Sequence, residues 1–450
     1  MTNIGVIGGA GYVGLVTGVG LAALGHKVIS MDLDQSRIEM LRKGSSAVYE
    51  KGLEVILRGL IKKGQISFTE NQLQAVRNSD VLFIAVGTPS LDDGAADLSA
   101  VIAVAEQLRE MIDKYTVIVV KSTVPVGTTR IITEILAQKL TESEDFDVVS
   151  NPEFLREGEG LIDFFAPSRI VVGSSSTRAL EALRTIYEPL LSGNVVVDVP
   201  WIDVDREIPY VETDVISAQL IKYASNAFLA ARISFINEIA GISEKVGGTI
   251  TDIVFGLGLD PRIGSSYLKP GIGFGGPCLD KDLRALIRIA DENSYDSVML
   301  AGVLKRNDLQ LREVMNKITG TLGPNLYKKR ITLLGIAFKE GTNDVRQSLS
   351  LRLYRLLRDQ GALVVGHDLL AASETAEIEP NLVVTSDMNV ALDGANAVVV
   401  LNAESAYSSF DWSSLISSEV LPYVIDTRGV VDVTMLSNCG ITFDVLGSAE

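Results

Sequence analysis

Residues Pro270–Asp282 read PGIGFGGPCLDKD, a glycine-rich loop running into the helix-period stretch Leu279–Ala290. Cys278 stands at that junction. A thiol at a helix N-terminus feels the helix dipole, which favours the thiolate, the form that attacks an electrophilic carbon. Asp282 lies one turn further on and shares a helix face with Cys278. A carboxylate there works against ionisation of the thiol, so its better use is to orient a water or take a proton later in a cycle. The competing reading is a structural thiol, the commonest fate of a cysteine outside a disulfide. Cys439, in the short strand-like context Asn438–Ile441, has only that reading.

A second chemistry begins at Gly9-Ala10-Gly11-Tyr12-Val13-Gly14, which follows the apolar run Ile4–Ile7 and opens the helix-period stretch Tyr12–Leu24. In such a G-x-G-x-x-G the first glycine permits a tight turn, the second admits a pyrophosphate, and the third lets helix and strand pack closely. The N–H groups of the helix terminus face the phosphates. Asp32 ends the next β-like run about 20 residues on, where a carboxylate binds the adenosine ribose and repels a 2′-phosphate. This selects NAD over NADP. Arg37, close by, either softens that preference or stacks on the adenine.

Further candidates stand where apolar runs end: Gly87-Thr88-Pro89, Lys121–Gly127 with Thr123, and Asn151–Glu157 with Glu153 and Glu157. Ligands of open α/β sheets bind at the carboxyl ends of parallel strands. Lys222 and Asn226 are one turn apart in an otherwise apolar helical stretch. They read either as a snorkelling lysine with its neighbour or as a cation–amide pair on one face.

The elements that must position these groups alternate in type. Ile4–Ile7, Val28–Met31, Val81–Val86, Thr116–Lys121, Val148–Ser150 and Ile170–Gly173 read as buried parallel strands. Tyr12–Leu24, Gln35–Lys43, Ser99–Lys114 and Thr128–Leu140 read as helices between them, which predicts a doubly wound α/β sheet. After Pro200 the pattern changes to a long helix over Val211–Val246 and more helix to residue 310. Alternation then returns with Arg330–Phe338, Leu363–Asp368, Leu382–Thr385, Ala397–Asn402 and Tyr423–Asp426. No glycine fingerprint follows Ile331–Phe338, so this second sheet reads as a degenerate copy of the first without a dinucleotide site. The fold class is α/β, with two Rossmann-like doubly wound parallel-sheet domains joined by a long central helical segment. The expected divisions are 1–205 for NAD, 206–310 for a central helical dimerisation domain, and 311–450.

The chain has 450 residues, a formal net charge of −17, 47% apolar and 22% charged residues. That composition excludes disorder and argues against nucleic-acid or anionic-membrane partners. Two cysteines provide no disulfide framework, which makes a reducing cytoplasm the expected compartment. Two histidines leave no basis for a histidine-rich metal site, and none is expected. Residues 1–25 carry no charged side chain but also no basic leader pattern, and no apolar run approaches the ~18 residues of a membrane span.

Taken in order, GGAGYVG, VGTPS, KSTVPVGT, NPEFLREG, IKYASNAFLAARISFINEIA, GFGGPCLDKD and GIAFKEGTNDVRQS resemble the UDP-glucose/GDP-mannose dehydrogenase family over essentially the whole chain, with the UDP-glucose branch nearest. The resemblance implies oxidation of a sugar C6 alcohol to a carboxylate with two NAD, through a thiohemiacetal and a thioester on Cys278. It implies that Thr123 and Asp282 position a water and that Lys222 and Asn226 stabilise an oxyanion. Glu157 would be the base for thioester hydrolysis, supported by Glu153. NAD contacts are implied for Gly9, Gly11, Tyr12, Val13, Gly14, Asp32, Arg37, Thr88, Thr123, Glu157, Lys281 and Arg346. Nucleotide-sugar contacts are implied for Glu153, Phe154, Leu155, Arg156, Glu157, Lys222, Asn226, Tyr267, Leu268, Lys269, Pro270, Gly271, Gly275 and Lys339. Arg262 matches an arginine that reaches the site of a neighbouring subunit, which implies a homodimer. The sequence departs from the family pattern at Pro277, Asp280 and Asn343. GDP-mannose or a UDP-N-acetylhexosamine as substrate, a two-electron β-hydroxyacid dehydrogenase, and a non-catalytic NAD-binding protein are the alternatives.

Overall fold

Apolar residues at both parities of a strand demand cover on both faces of the sheet, and the first sheet meets that demand. In the computed structural model, which describes residues 1–89, 91, 94–193, 195, 207–416 and 421–448, its strands are β1 (Asn3–Ile7), β2 (Lys27–Met31), β3 (Ile66–Thr69), β4 (Val81–Ile84), β5 (Thr116–Val120), β6 (Phe146–Ser150), β7 (Ile170–Gly173) and β8 (Tyr210–Thr213). Their spatial order is β3-β2-β1-β4-β5-β6-β7-β8. Phe83, Val117 and Val119 point into one apolar cluster, while Leu82, Ile84, Ile118 and Val120 point into another on the opposite face. The first six strands run parallel in the doubly wound order.

The second sheet comprises β9 (Arg330–Leu334), β10 (Leu363–His367), β11 (Val383–Thr385), β12 (Ala397–Val400), β13 (Tyr423–Asp426) and β14 (Phe443–Val445). Its order, β11-β10-β9-β12-β13-β14, repeats that of β1–β6 with every pair parallel. Gly8 and Gly335 end their first strands at φ 82° and 96°, so the two copies turn alike. They diverge at the acid. In the second copy the Asp368 carboxylate accepts from four backbone N–H groups, of Ile336, Ala337, Leu370 and Ala371, at 2.8–3.0 Å. It thus spends its acceptor capacity on the chain itself.

The chain forms two compact units, Met1–Ser225 and Asn226–Glu450, whose boundary falls inside the helix Val215–Val246. The expected division at 205/206 lies in 196–206, outside the described residues. The helix Val298–Leu322 runs through residue 310, where the second division is expected.

Three local expectations are corrected. The helix expected from Val211 starts at Val215, because Tyr210–Thr213 pairs with β7 and Asp214 caps the helix. Asp214 does so by accepting from the Ser217 N–H at 2.9 Å, and an Asp at that position starts a helix where it stands. Strand β7 meets β6 antiparallel, at Ser150–Gly173; a four-residue apolar run specifies burial but carries no information on direction. Cys439 caps the helix Val433–Asn438 instead of lying in a strand, and it packs at the edge of an apolar cluster.

Candidate active site

In the first unit, the turn after β1 shows why its glycines are glycines. A Cβ on Gly14 would stand 2.1 Å from the Gly8 carbonyl oxygen, and one on Gly9 would stand 2.8 Å from Ser30 Cβ. At Gly11 the nearest atom would be 3.5 Å away, an ordinary separation. Protein packing therefore accounts for Gly9 and Gly14, whereas Gly11 keeps an approach open to something outside the chain. That is the fit required for a pyrophosphate at the N-terminus of the helix Tyr12–Ala23. Asp32 ends the following strand, with Oδ2 accepting from Ala10 N–H at 2.9 Å and Oδ1 from Asp34 N–H at 3.1 Å. Each oxygen retains a lone pair for a ribose hydroxyl. Val13 is half-buried beside the turn.

The loops after β4 and β5 are tied together: Thr88 donates to the Thr123 carbonyl at 2.7 Å, and Ser122 donates to the Val86 carbonyl at 2.7 Å. The loop after β6 carries Glu153, whose Oε1 lies 3.0 Å from Lys222 Nζ, both side chains being 6% exposed. Its Oε2 accepts from the Leu155 N–H at 2.5 Å. Burial alone would push the Glu153 carboxyl up; the Lys222 ammonium, the Leu155 N–H and Lys121 together hold it below the usual carboxylate range. Phe154 lies under the Arg169 guanidinium, 3.8 Å from ring centre to Cζ. Arg156 clamps Asp163 at 2.7–3.3 Å. Glu157 is half-buried, and its charge is one of the influences that raise the Tyr12 phenol, after burial and Glu50.

Sequence reasoning missed one residue here. Glu50 accepts from the Tyr12 hydroxyl at 2.7 Å and from the Leu161 N–H at 3.2 Å, and the Tyr12 hydroxyl also lies 2.8 Å from the Arg156 carbonyl oxygen. This fastens the glycine turn to the loop bearing Glu157. Nothing in the sequence around Glu50 signals that role. Lys121, which opens the candidate segment Lys121–Gly127, is the one charge closing the apolar strand TVIVV.

In the second unit, Cys278 is the exposed N-cap residue of the helix Leu279–Glu292 and, like Cys439, is not in a disulfide. Asp282, one turn on, is 1% exposed, and its N–H bonds the Cys278 carbonyl at 2.9 Å. Its carboxylate takes Asn226 Nδ2 at 2.6 Å on one oxygen and Lys281 Nζ at 2.7 Å on the other. Asn226, Lys281 and Asp282 thus form one bonded group, with Asp282 one helical turn from Cys278.

The loop before Cys278 is held from behind. Asn307 exchanges two hydrogen bonds with Phe274, at 2.8 and 2.9 Å, while Asn237 accepts from the Gly271 N–H at 2.9 Å and Gln310 donates to the Gly271 carbonyl at 2.7 Å. Gly275 has a packing reason to be glycine, since its Cβ would meet the Gln347 carbonyl at 2.7 Å. Of the preceding residues, Leu268 is buried, Lys269 is exposed, and Pro270 accepts from Arg428 at 3.2 Å. Tyr267 takes a left-handed φ of 59°. Lys339 is half-buried after β9, and Asn343 donates to Glu374. Arg37, Arg262 and Arg346 each pair with an acid two or three residues away, Asp34, Asp260 and Asp344. The three guanidinium side chains are 48–87% exposed.

A doubly wound sheet with this glycine turn and ribose acid defines a nicotinamide-dinucleotide-binding protein, here with a buried lysine and an exposed thiol at strand and helix ends. The chain belongs to the UDP-glucose/GDP-mannose dehydrogenase family: the family's NAD binding domain matches residues 2–191, its central domain 216–309 and its UDP binding domain 332–433. It is 37% identical over 446 residues to UDP-glucose 6-dehydrogenase YwqF of Bacillus subtilis, covering 99% of this chain and 97% of the relative. UDP-glucose 6-dehydrogenase of Pseudomonas aeruginosa is 37% identical over 449 residues, covering 98% and 96%. Among solved structures, a UDP-glucose dehydrogenase from the archaeon Pyrobaculum islandicum superposes with a TM-score of 0.89 at 35% identity, covering 100% of this chain and 98% of its own.

Proposed function

We propose that the protein oxidises UDP-glucose at C6 to UDP-glucuronate, consuming two NAD⁺ and one water and releasing two NADH and three protons. The observation that carries this reading is Cys278, presented at an exposed helix N-cap one turn from the Asp282 carboxylate. A two-electron alcohol dehydrogenase has no use for that thiol.

The turn Gly9–Gly14, Asp32, Thr88 and Thr123 would hold NAD, with Arg37, Lys281 and Arg346 as further cations, and when bound it would supply the hydride acceptor for both oxidations. The C6 oxygen, on losing its proton, is stabilised by the Lys222 ammonium and the Asn226 amide. Cys278 adds to the resulting aldehyde as a thiohemiacetal, and the second oxidation leaves a thioester. Thr123 and Asp282 hold a water that carries protons, and Glu157, supported by Glu153, activates water for hydrolysis. Phe154–Arg156, Tyr267–Gly271, Gly275 and Lys339 bind the nucleotide sugar. The relatives' names favour UDP-glucose over GDP-mannose or UDP-N-acetylhexosamines. Initial rates with all three classes test this. UDP-glucose should have a kcat/KM at least ~100-fold above the others, and turnover restricted to another nucleotide sugar would overturn the substrate assignment.

The working form is a homodimer. Phe228, Phe235, Ile242 and Val246 lie along one helix at spacings of seven, seven and four and are 52–76% exposed. An apolar stripe of that length marks a protein interface. Arg262, 87% exposed at its side chain, then reaches the substrate of the second protomer. Phe235→Asp should convert the dimer to monomers in sedimentation and lower activity with them; a fully active monomer would contradict the role of Arg262.

A further inference from the structure

Lys121 has no part in the chemistry set out above, yet it is buried beside the groups that do. Its ammonium donates to Asn151 Oδ1 at 3.1 Å. The Tyr187 hydroxyl donates to the same oxygen at 2.7 Å, and Asn151 Nδ2 donates to the Val171 carbonyl at 2.7 Å. Asn151 is therefore fixed, and Lys121 with it. Lys121 and Glu153 line one cavity of about 40 Å³, large enough for water.

Lys121, Glu153 and Lys222 place two cationic groups and one anionic group in a buried site. The Glu153–Lys222 pair alone is neutral, and a developing oxyanion facing it meets a cation largely cancelled by the carboxylate behind it. With Lys121 protonated the cluster carries a net positive charge. We propose that Lys121 is a positioning residue of the oxidation: its buried ammonium offsets Glu153, so that the Lys222 charge acts on the C6 oxygen instead of being cancelled. The inference rests on the reading of Lys222 as the group that stabilises that oxygen.

Burial lowers the Lys121 ammonium to about 8, with Glu153 opposing the shift and Lys222 adding to it. The cation is present below that pH and lost above it, so kcat falls as pH rises through this value. Tyr187, Asp163 and Arg169 are the other charged or titratable groups around the cavity. Tyr187, on the helix Thr177–Leu191, is pushed up by burial and stays neutral. Asp163 is paired with Arg156, and Arg169 remains a cation.

The test compares Lys121→Met, Lys121→Arg and Lys222→Met in the full-length enzyme, measuring NAD affinity, KM and kcat across roughly pH 6.5–9.5. Lys121→Met should lose ~10- to 100-fold in kcat with little change in KM, and should lack the alkaline limb near pH 8. Lys121→Arg should restore kcat below that pH and move the limb upward, which a purely structural role would not do. If Lys121→Met keeps the wild-type kcat and profile while Lys222→Met is crippled, the inference falls and the Lys222 reading stands. If Lys222→Met is fully active, both fall. Should the methionine variant not fold, the arginine variant decides alone: a limb retained near pH 8 overturns the proposal.

Discussion

Cys278→Ser is expected to bind NAD as the wild type does and to form uronate at least ~10³-fold more slowly. Cys278 is an exposed helix cap, so an isosteric change disturbs no core. Serine is a good cap, and Asp282, held by Asn226 and Lys281, stays in place. What is lost is a polarisable nucleophile whose thioester water can cleave. The first oxidation needs no covalent bond and should survive, giving one NADH and an aldehyde in a single turnover. Dinucleotide titration, rapid-quench product analysis and steady-state rates separate these outcomes; steady uronate formation at the wild-type rate would refute the covalent route.

Lys222→Met is expected to lower kcat by ~10²- to 10³-fold through loss of oxyanion stabilisation. It should also destabilise the fold, because Glu153 is left buried without its 3.0 Å partner. Breaking a buried pair from one side costs about 3–5 kcal/mol. The neighbouring Lys121 cation offsets part of that, and in this variant it no longer feels the Lys222 charge that helps to lower it. Adding Glu153→Gln removes the unpaired charge, so the double variant should regain thermal stability but not activity. Melting temperature and kcat measured on both variants make the distinction; recovery of activity in the double variant would show that Lys222 serves only to neutralise Glu153.

Much of this was legible in the sequence because the relevant signals are local. The glycine turn, Asp32, and the pairing of Cys278 with Asp282 each lie within one strand–turn–helix unit, where spacing determines geometry. The direction of β7 was not legible, since a short apolar run encodes burial alone; the strand Tyr210–Thr213 was not legible because YVET is a largely exposed edge strand with no apolar run to mark it. The partnership of Glu153 with Lys222 joins positions far apart in the chain, and no spacing rule links them. Glu50 was invisible for the same reason: its partners Tyr12 and Leu161 come from distant segments. The charge of −17 argued against nucleic acid and anionic membranes as partners, yet it does not bar a small anionic cofactor and substrate.

The most direct test of the account is stoichiometry. Enzyme supplied with limiting UDP-glucose and excess NAD⁺ should yield two NADH for each sugar consumed, with UDP-glucuronate as the product. A yield of one NADH with the aldehyde as the final product would contradict the four-electron, thiol-dependent oxidation proposed for this chain.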